Sequence, residues 1–135
     1  MFALSLFGCT EQIDETYATY ADAERGGAVE RGWVPAFVPA SARNLDETHG
    51  LDTSKQTLRF NIPPSDVGMM VAGLSLIPAK DHDAAVVLSE SHGLGSASRA
   101  YVVCSKPRNG VLAVEPESGT AVFDTTIDWL DDACP

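Results

Sequence analysis

Histidine stands beside residues that could share its chemistry at two places in this chain. Asp81-His82-Asp83 combines side chains that bind metal ions or transfer protons. Successive side chains of an extended segment point to opposite sides, so both carboxylates would face away from the ring. The spacing favours a solvated acidic loop, and we predict no metal site.

The second place is Ser89-Glu90-Ser91-His92, where hydroxyl groups precede a histidine. A serine nucleophile needs a positioned base and an oxyanion hole, and the chain contains no G-x-S-x-G turn. Gly93 and Gly95 precede no strand-to-helix motif that would hold a phosphate. We therefore predict no catalytic residue, no cofactor and no enzymatic activity. A small hydrolase using His82 or His92 is kept as the third functional hypothesis.

Cys9 could carry a different chemistry, because the apolar run from Met1 ends in Leu6-Phe7-Gly8-Cys9, the pattern of a bacterial lipobox. Residues 1–8 are too short to cross a bilayer, which takes about 20 residues, and contain no Lys or Arg. They are interpreted as the remnant of a longer lipoprotein signal. The pattern predicts diacylation of Cys9, which anchors a protein stably. The alternative is an apolar N-terminal strand with a buried thiol.

The chain has three cysteines, and lipidation would consume Cys9. In an oxidising compartment the remaining two, Cys104 and Cys134, are expected to form a disulfide. The alternative is two reduced thiols. No C-x-x-C motif indicates a structural zinc site.

The net charge of −10, with 21% charged and 44% hydrophobic residues, is typical of an acidic globular protein. It argues against a nucleic-acid partner, which requires a basic face, and against electrostatic docking on anionic lipid. It favours a cationic partner or serves solubility alone. The length predicts a lipidated tether, residues 9–14, followed by one domain, residues 15–135.

Three side chains are candidates for binding a partner. Trp33 and Trp129 are candidate anchors because aromatic residues dominate binding hot spots, although burial of Trp33 is the simpler interpretation. Arg59 alternates with the apolar residues of its strand and should face outward. It is predicted either to pair with a carboxylate such as Asp124 or to recognise an anion.

Apolar alternation predicts the strands that would carry these residues. Thr57–Ile62 is the clearest half-buried strand, and Asn109-Gly110 predicts a tight hairpin turn. Three strands, Ala100–Cys104, Val111–Glu115 and Thr120–Thr125, are predicted to form an antiparallel meander.

Helical spacing predicts a helix from Ile13 to Arg25 and a second helix that starts at Ser65 or Asp66. A short strand is predicted from Arg43 to Glu47, a turn over His49–Asp52, and a loop over Ile77–Arg99. The fold class is therefore α+β, with an antiparallel sheet of the meander and strand 57–62 covered by one or two helices.

A family resemblance rests on several short motifs spread over residues 13–75. They are Tyr17-x-x-Tyr20, Gly32-Trp33-Val34-Pro35, Pro39–Leu45, Leu51-Asp52-Thr53, Leu58-Arg59-Phe60 and Pro63-Pro64. Together they resemble small bacterial lipoproteins similar to the YbbD head domain, with a looser match in the C-terminal hairpins. The resemblance implies an envelope protein and brings no activity or catalytic set.

The leading functional hypothesis is a membrane-anchored, non-catalytic domain of the bacterial cell envelope, facing the periplasm or the exterior. It would bind a protein or another envelope component. The runner-up is an acidic inhibitor or immunity-type lipoprotein that masks a cationic toxin or enzyme.

Overall fold

Seven strands form one antiparallel sheet in the computed structural model, which describes residues 11–77, 89–95, 97–104, 108–126 and 134. The strand order across the sheet is β1-β2-β3-β7-β6-β5-β4. The strands are β1 (Gln12–Thr19), β2 (Arg43–Gly50), β3 (Gln56–Asn61), β4 (Ser75–Leu76), β5 (Arg99–Val103), β6 (Gly110–Val114) and β7 (Thr120–Asp124).

The predicted helix from Ile13 to Arg25 is wrong over most of its length. Residues Gln12–Thr19 form an edge strand whose side chains alternate between exposed and half-buried. Ile13 and Tyr17 are four residues apart, a spacing that fits both a helix and a strand, and pairing with β2 decides for the strand. Only Tyr20–Arg25 is helical (α1), with Thr19 capping its first turn by accepting from the Asp22 amide. Because β1 starts at Gln12, the sheet begins inside the predicted tether.

The predicted meander is confirmed, since β5 pairs with β6 and β6 pairs with β7. The tight turn at Asn109-Gly110 is wrong, because Gly110 already pairs with Val103 inside the ladder. Glycine is needed there for packing instead. A Cβ on Gly110 would overlap the ring of Phe123 and lie 2.9 Å from the carbonyl oxygen of Asp124.

One face of the sheet, here called the core face, carries the main hydrophobic core. Its strand residues include Leu45, Leu58, Phe60, Leu112 and Phe123, all nearly inaccessible to solvent. Two short helices, α1 and α2 (Val67–Val71), pack on this face together with the irregular, proline-containing segment 26–42. The α+β prediction is thus confirmed only in part, because the helices have six and five residues and the fold is mostly β.

The opposite face, here called the back face, carries Arg59, Ala113, Val122 and Asp124. Leu94 packs there against Ala113 and Val122. The predicted disulfide is confirmed: Cys104 and Cys134 are bonded, with their Cα atoms 5.4 Å apart, and Cys134 packs against this face.

The predicted loop Ile77–Arg99 lies only partly within the described residues, and its short apolar piece 85–88 lies outside them. Helices long and apolar enough to cross a membrane do not occur in the described part of the chain.

Candidate functional site

Ionisable and amide side chains replace apolar ones on the core face near the turn between β2 and β3. On β2, Glu47 and His49 continue the row that starts at Leu45, and they are only 1% and 7% exposed. Gln56 on β3 pairs with His49 in the ladder and is 1% exposed. Buried polar groups are costly unless they are hydrogen-bonded, so this end of the core must satisfy them internally or through a ligand.

Glu47 and His49 satisfy each other. They are two residues apart on one strand and therefore point to the same side. Nδ1 of His49 donates to the two carboxylate oxygens of Glu47 at 2.7 and 2.9 Å. Burial raises the pKa of Glu47, and the hydrogen bond from His49 opposes that shift. The second ring nitrogen of His49, Nε2, has no hydrogen-bond partner among the described residues.

Trp33 and Arg108 hold the imidazole ring in place. The rings of Trp33 and His49 stack with their centroids 3.7 Å apart and their planes 8° from parallel. The guanidinium of Arg108 lies 4.3 Å from the centre of the Trp33 ring and donates to the carbonyl of Gly32 at 2.6 Å. Burial lowers the pKa of Arg108, while the charge of Glu47 raises it. The cation of Arg108 therefore compensates the carboxylate of Glu47.

A second carboxylate, Glu15, stands opposite Glu47 on the neighbouring strand β1. It accepts from the hydroxyl of Tyr17 at 2.9 Å, and its Oε2 lies 3.7 Å from the guanidinium of Arg31. Burial and the hydrogen bond to Glu15 both raise the pKa of Tyr17. Paired carboxylates can transfer protons, but each of these is engaged by neighbouring side chains. The arrangement favours a rigid polar support over a general acid–base pair.

An open cleft of about 310 Å³ lies next to this support. His49 and Gln56 line it together with residues of β1, β2, β3 and the turn between β2 and β3. The lining residues are Glu11, Gln12, Thr48, His49, Gly50, Asp52, Thr53, Lys55, Gln56, Thr57 and Thr126. His49 and Gly50 belong to β2, so the turn predicted over His49–Asp52 starts two residues later.

Gln56, one of the lining residues, carries a buried side-chain atom without a hydrogen-bond partner in the described part of the chain. Its Nε2 donates to the carbonyl of Trp33 at 2.8 Å, and its backbone amide donates to Thr125 Oγ1 at 2.8 Å. Because the carbonyl of Trp33 can only accept, the atom of Gln56 that faces it must be the nitrogen, Nε2. The remaining atom of the side-chain amide is therefore the oxygen, Oε1. Oε1 is buried and has no hydrogen-bond partner among the described residues.

The predicted binding residues lie in different places. Trp33 is half-buried and serves as the stacking partner of His49, as the burial interpretation expected. Arg59 faces outward on the back face, as predicted. Its proposed ion pair with Asp124 is wrong, because Arg59 donates to the carbonyl of His92 at 2.6 Å while Asp124 accepts from the ring of His92 at 3.0 Å. The binding roles of Trp33 and Arg59 stay predictions, and Trp129 lies outside the described residues.

His92 and His49 occupy opposite faces of the sheet. Asp124 contacts His92 through Oδ2, and its other oxygen, Oδ1, accepts from the amide and hydroxyl of Thr126 at 2.7 and 2.6 Å. Asp81-His82-Asp83 and Cys9 lie outside the described residues.

Sequence reasoning missed Glu47, Gln56 and Arg108 altogether and took His49 for a turn residue. One signal was present: in Leu45-x-Glu47-x-His49 the polar residues are in phase with a core leucine. That phase places ionisable groups on the buried face once β2 extends to Gly50.

Residues 11–61 match the family model of the YbbD head domain, which confirms the predicted resemblance over β1, α1, β2 and β3. The matched segment contains Trp33, Glu47, His49 and Gln56, whereas Arg108 lies outside it. Neither the curated proteins nor the solved structures provide a significant match to this chain.

Proposed function

We propose that this chain is a non-catalytic binding domain of the bacterial cell envelope, anchored through lipid on Cys9 and engaging its ligand in the cleft between β1, β2 and β3. The observation that carries the proposal is an open cleft of about 310 Å³, lined mostly by polar residues, at the end of a sheet that a buried polar cluster holds rigid. In that cluster Glu47, Trp33 and Arg108 hold His49 in one orientation. Fixed polar atoms at a cleft give specificity in binding.

Binding is favoured over catalysis by how the acids are used. Glu47 is hydrogen-bonded to His49, and Glu15 is hydrogen-bonded to Tyr17. A general base or nucleophile has to reach the substrate. In this cluster the groups with suitable chemistry are engaged in holding one another.

The proposed anchor would bring the cleft close to the membrane. Two peptide units separate Cys9 from Glu11, one of the cleft-lining residues. An extended chain spans at most about 3.6 Å per residue, so two peptide units can span at most about 7 Å. A lipid on Cys9 would therefore hold the cleft at the level of the lipid headgroups.

The anchor is tested by expressing the chain behind a complete bacterial lipoprotein signal, with Cys9→Ser as the matched control. Mass spectrometry should find an N-terminal peptide that begins with acylated Cys9, and fractionation should place the protein in membranes. The Cys9→Ser protein should be recovered unlipidated. An uncut, unacylated wild-type chain would contradict the anchoring.

The binding role is tested by photo-crosslinking in the same cells. A photoreactive amino acid at Thr53, in the cleft, should give a discrete adduct, while the same amino acid at Glu117, in the turn between β6 and β7, should not. Equal labelling from both positions, or no adduct from Thr53, would contradict a ligand site in the cleft.

The acidic inhibitor is the second candidate function, and one observation favours it. The net charge is −10, and Asp14 and Asp46 are exposed on the back face of the neighbouring strands β1 and β2. A large acidic face accelerates association with a cationic protein. This candidate predicts a partner whose association rate falls steeply with salt and with Asp46→Asn. A salt-independent rate would exclude it.

A further inference from the structure

We infer that the outer side of the edge strand β1 binds an extended segment of a partner protein as a further antiparallel strand. The partner segment alternates basic side chains, which lie over the back face, with apolar side chains, which lie over the core face. The inference goes beyond the ligand proposed for the cleft, because it concerns the edge of the sheet and a protein partner. In strand addition, main-chain hydrogen bonds give affinity and alternate side chains give specificity.

The two edges of the described sheet differ in how they are protected. The edge strand β4 has two residues, whereas β1 at the other edge has eight. The ladder of β1 with β2 keeps one register from Gln12 opposite Gly50 to Tyr17 opposite Leu45, so no bulge bends this part of β1. β1 also contains neither proline nor lysine, which commonly block a sheet edge. A long and regular edge of this kind is a template for another strand.

The ladder shows which backbone groups of β1 point outward. The amide of Leu51 donates to the carbonyl of Glu11 at 3.1 Å, and these two residues continue the register of β1 and β2 by one step. In an antiparallel pair, residues alternately direct both backbone groups toward the partner strand and away from it. Gln12, Asp14 and Thr16 therefore point outward, where the described residues offer their backbone groups no hydrogen-bond partner.

The exposed charge on the back face of β1 is acidic. Asp14 is exposed and accepts from Thr48 Oγ1 at 2.8 Å and from Gln12 Nε2 at 3.3 Å. Both donors are neutral, so they do not compensate the charge of the carboxylate. Asp46 of β2 is exposed on the same face. Because opposite charges stabilise cross-strand pairs, basic side chains of an added strand fit this face.

The core face of β1 is only partly covered. Ile13 and Tyr17 are half-buried, although they point to the same face as the fully buried Leu45. Glu15 lies between them and is engaged by the Tyr17 hydroxyl at 2.9 Å and by Arg31 at 3.7 Å. This face therefore needs no further cation, and apolar side chains of an added strand would cover Ile13 and Tyr17.

Charge also distinguishes a partner protein from a second copy of this chain. Antiparallel pairing of two copies about the acidic middle of β1 would set Asp14 or Glu15 opposite itself, and like charges directly opposite destabilise a strand pair. Each copy carries a net charge of −10, which opposes self-association. A basic segment of another protein has neither disadvantage.

The test is a titration of the full chain with an acetylated and amidated peptide of alternating lysine and valine, eight residues long like β1. When its lysines lie over the back face, their amides point at β1 and the valine amides point away. N-methylation of the lysine amides should weaken binding by about tenfold or more, whereas N-methylation of the valine amides should change it by less than about threefold. A peptide with glutamate in place of lysine should bind more weakly than the lysine peptide.

Amide hydrogen exchange locates the added strand. In the free chain the outward amides of Gln12, Asp14 and Thr16 should exchange fast, and those of Ile13 and Glu15, which face β2, should exchange slowly. The lysine–valine peptide should slow exchange at the three outward amides. Binding without this change would overturn the inference.

Three variants assign the effect to β1. Thr16→Pro removes an outward donor but no hydrogen bond to β2, because proline is tolerated where an edge amide faces away from the sheet, and it should abolish binding. Asp14→Asn should weaken binding by about threefold. Glu117→Gln removes one charge in the turn between β6 and β7 and should leave binding unchanged. If Thr16→Pro perturbs folding, the two N-methylated peptides still decide the question.

Equal affinities of the two N-methylated peptides, or of the lysine and glutamate peptides, would overturn the inference. Dimerisation of the chain that Thr16→Pro abolishes, without binding of the peptide, would show that a second copy occupies the edge and would also overturn it. A photo-crosslink at Thr53 without binding at β1 would overturn this inference while leaving the proposed function standing.

Discussion

Removal of the Cys104–Cys134 disulfide should lower the free energy of unfolding by an amount that depends on the length of the loop that the bond closes. The bond closes a loop with a sequence separation of 30. The chain-entropy relation for a loop of that size gives about 3.6 kcal/mol at 25 °C. An unfolding entropy of about 2.1 cal/mol/K per residue converts this free energy into a fall of about 13 °C in Tm for a chain of 135 residues.

The assay compares the double variant Cys104→Ser/Cys134→Ser with the oxidised parent by calorimetry, both in a Cys9→Ser background so that no third thiol interferes. Reductant should lower the Tm of the parent to that of the variant and leave the variant unchanged. Thiol counting in denaturant should find none in the oxidised parent. The reasoning fails if the two proteins melt within about 3 °C of each other, or if the oxidised parent has two reactive thiols.

Three further predictions concern the fold and the site. Because burial raises the pKa of Glu47, the folded state binds that proton more tightly than the unfolded state. The parent therefore loses stability as pH rises from about 4.5 through the raised pKa. Over that pH window the free energy of unfolding of Glu47→Gln should rise relative to that of the parent, as measured by urea unfolding. A stability difference between the two proteins that does not change with pH would contradict this. Gly110→Ala should cost about 1–3 kcal/mol through overlap with Phe123, measured by urea unfolding against Gly68→Ala, which meets open space. Thr19→Ala should cost about 1 kcal/mol by removing the cap of α1, and a loss below about 0.3 kcal/mol in the same assay would contradict the capping role.

Much of the sheet could be predicted from local pattern. The strand β3 and the three strands β5, β6 and β7 alternate or run continuously apolar between turn residues, and each forms where it was expected. Period-two patterning is strong evidence because every residue of the element contributes to it. The pairing of Cys104 with Cys134 was predicted from the cysteine count and from the predicted compartment, which itself stays a prediction.

Prediction from local pattern failed where the same residue pattern is compatible with two different structures. Ile13 and Tyr17 fit a helix as well as a strand, and only the ladder with β2 selects between them. Asn109-Gly110 has the composition of a hairpin turn, yet Gly110 is required by the ring of Phe123 from a neighbouring strand. In both cases the deciding partner belongs to another strand, so the residue pattern of the element itself does not reveal it.

The amino-acid sequence by itself determined the covalent and periodic features of this protein: three cysteines, a net charge of −10, and strands whose alternation sorts residues between two faces. The candidate site was decided only by tertiary structure. The contact of Gln56 with Trp33 spans 23 residues and that of Arg108 with Gly32 spans 76. Burial, stacking and the unsatisfied oxygen of Gln56 exist only after the sheet has brought these segments together, because each is a property of the neighbours and not of the residue.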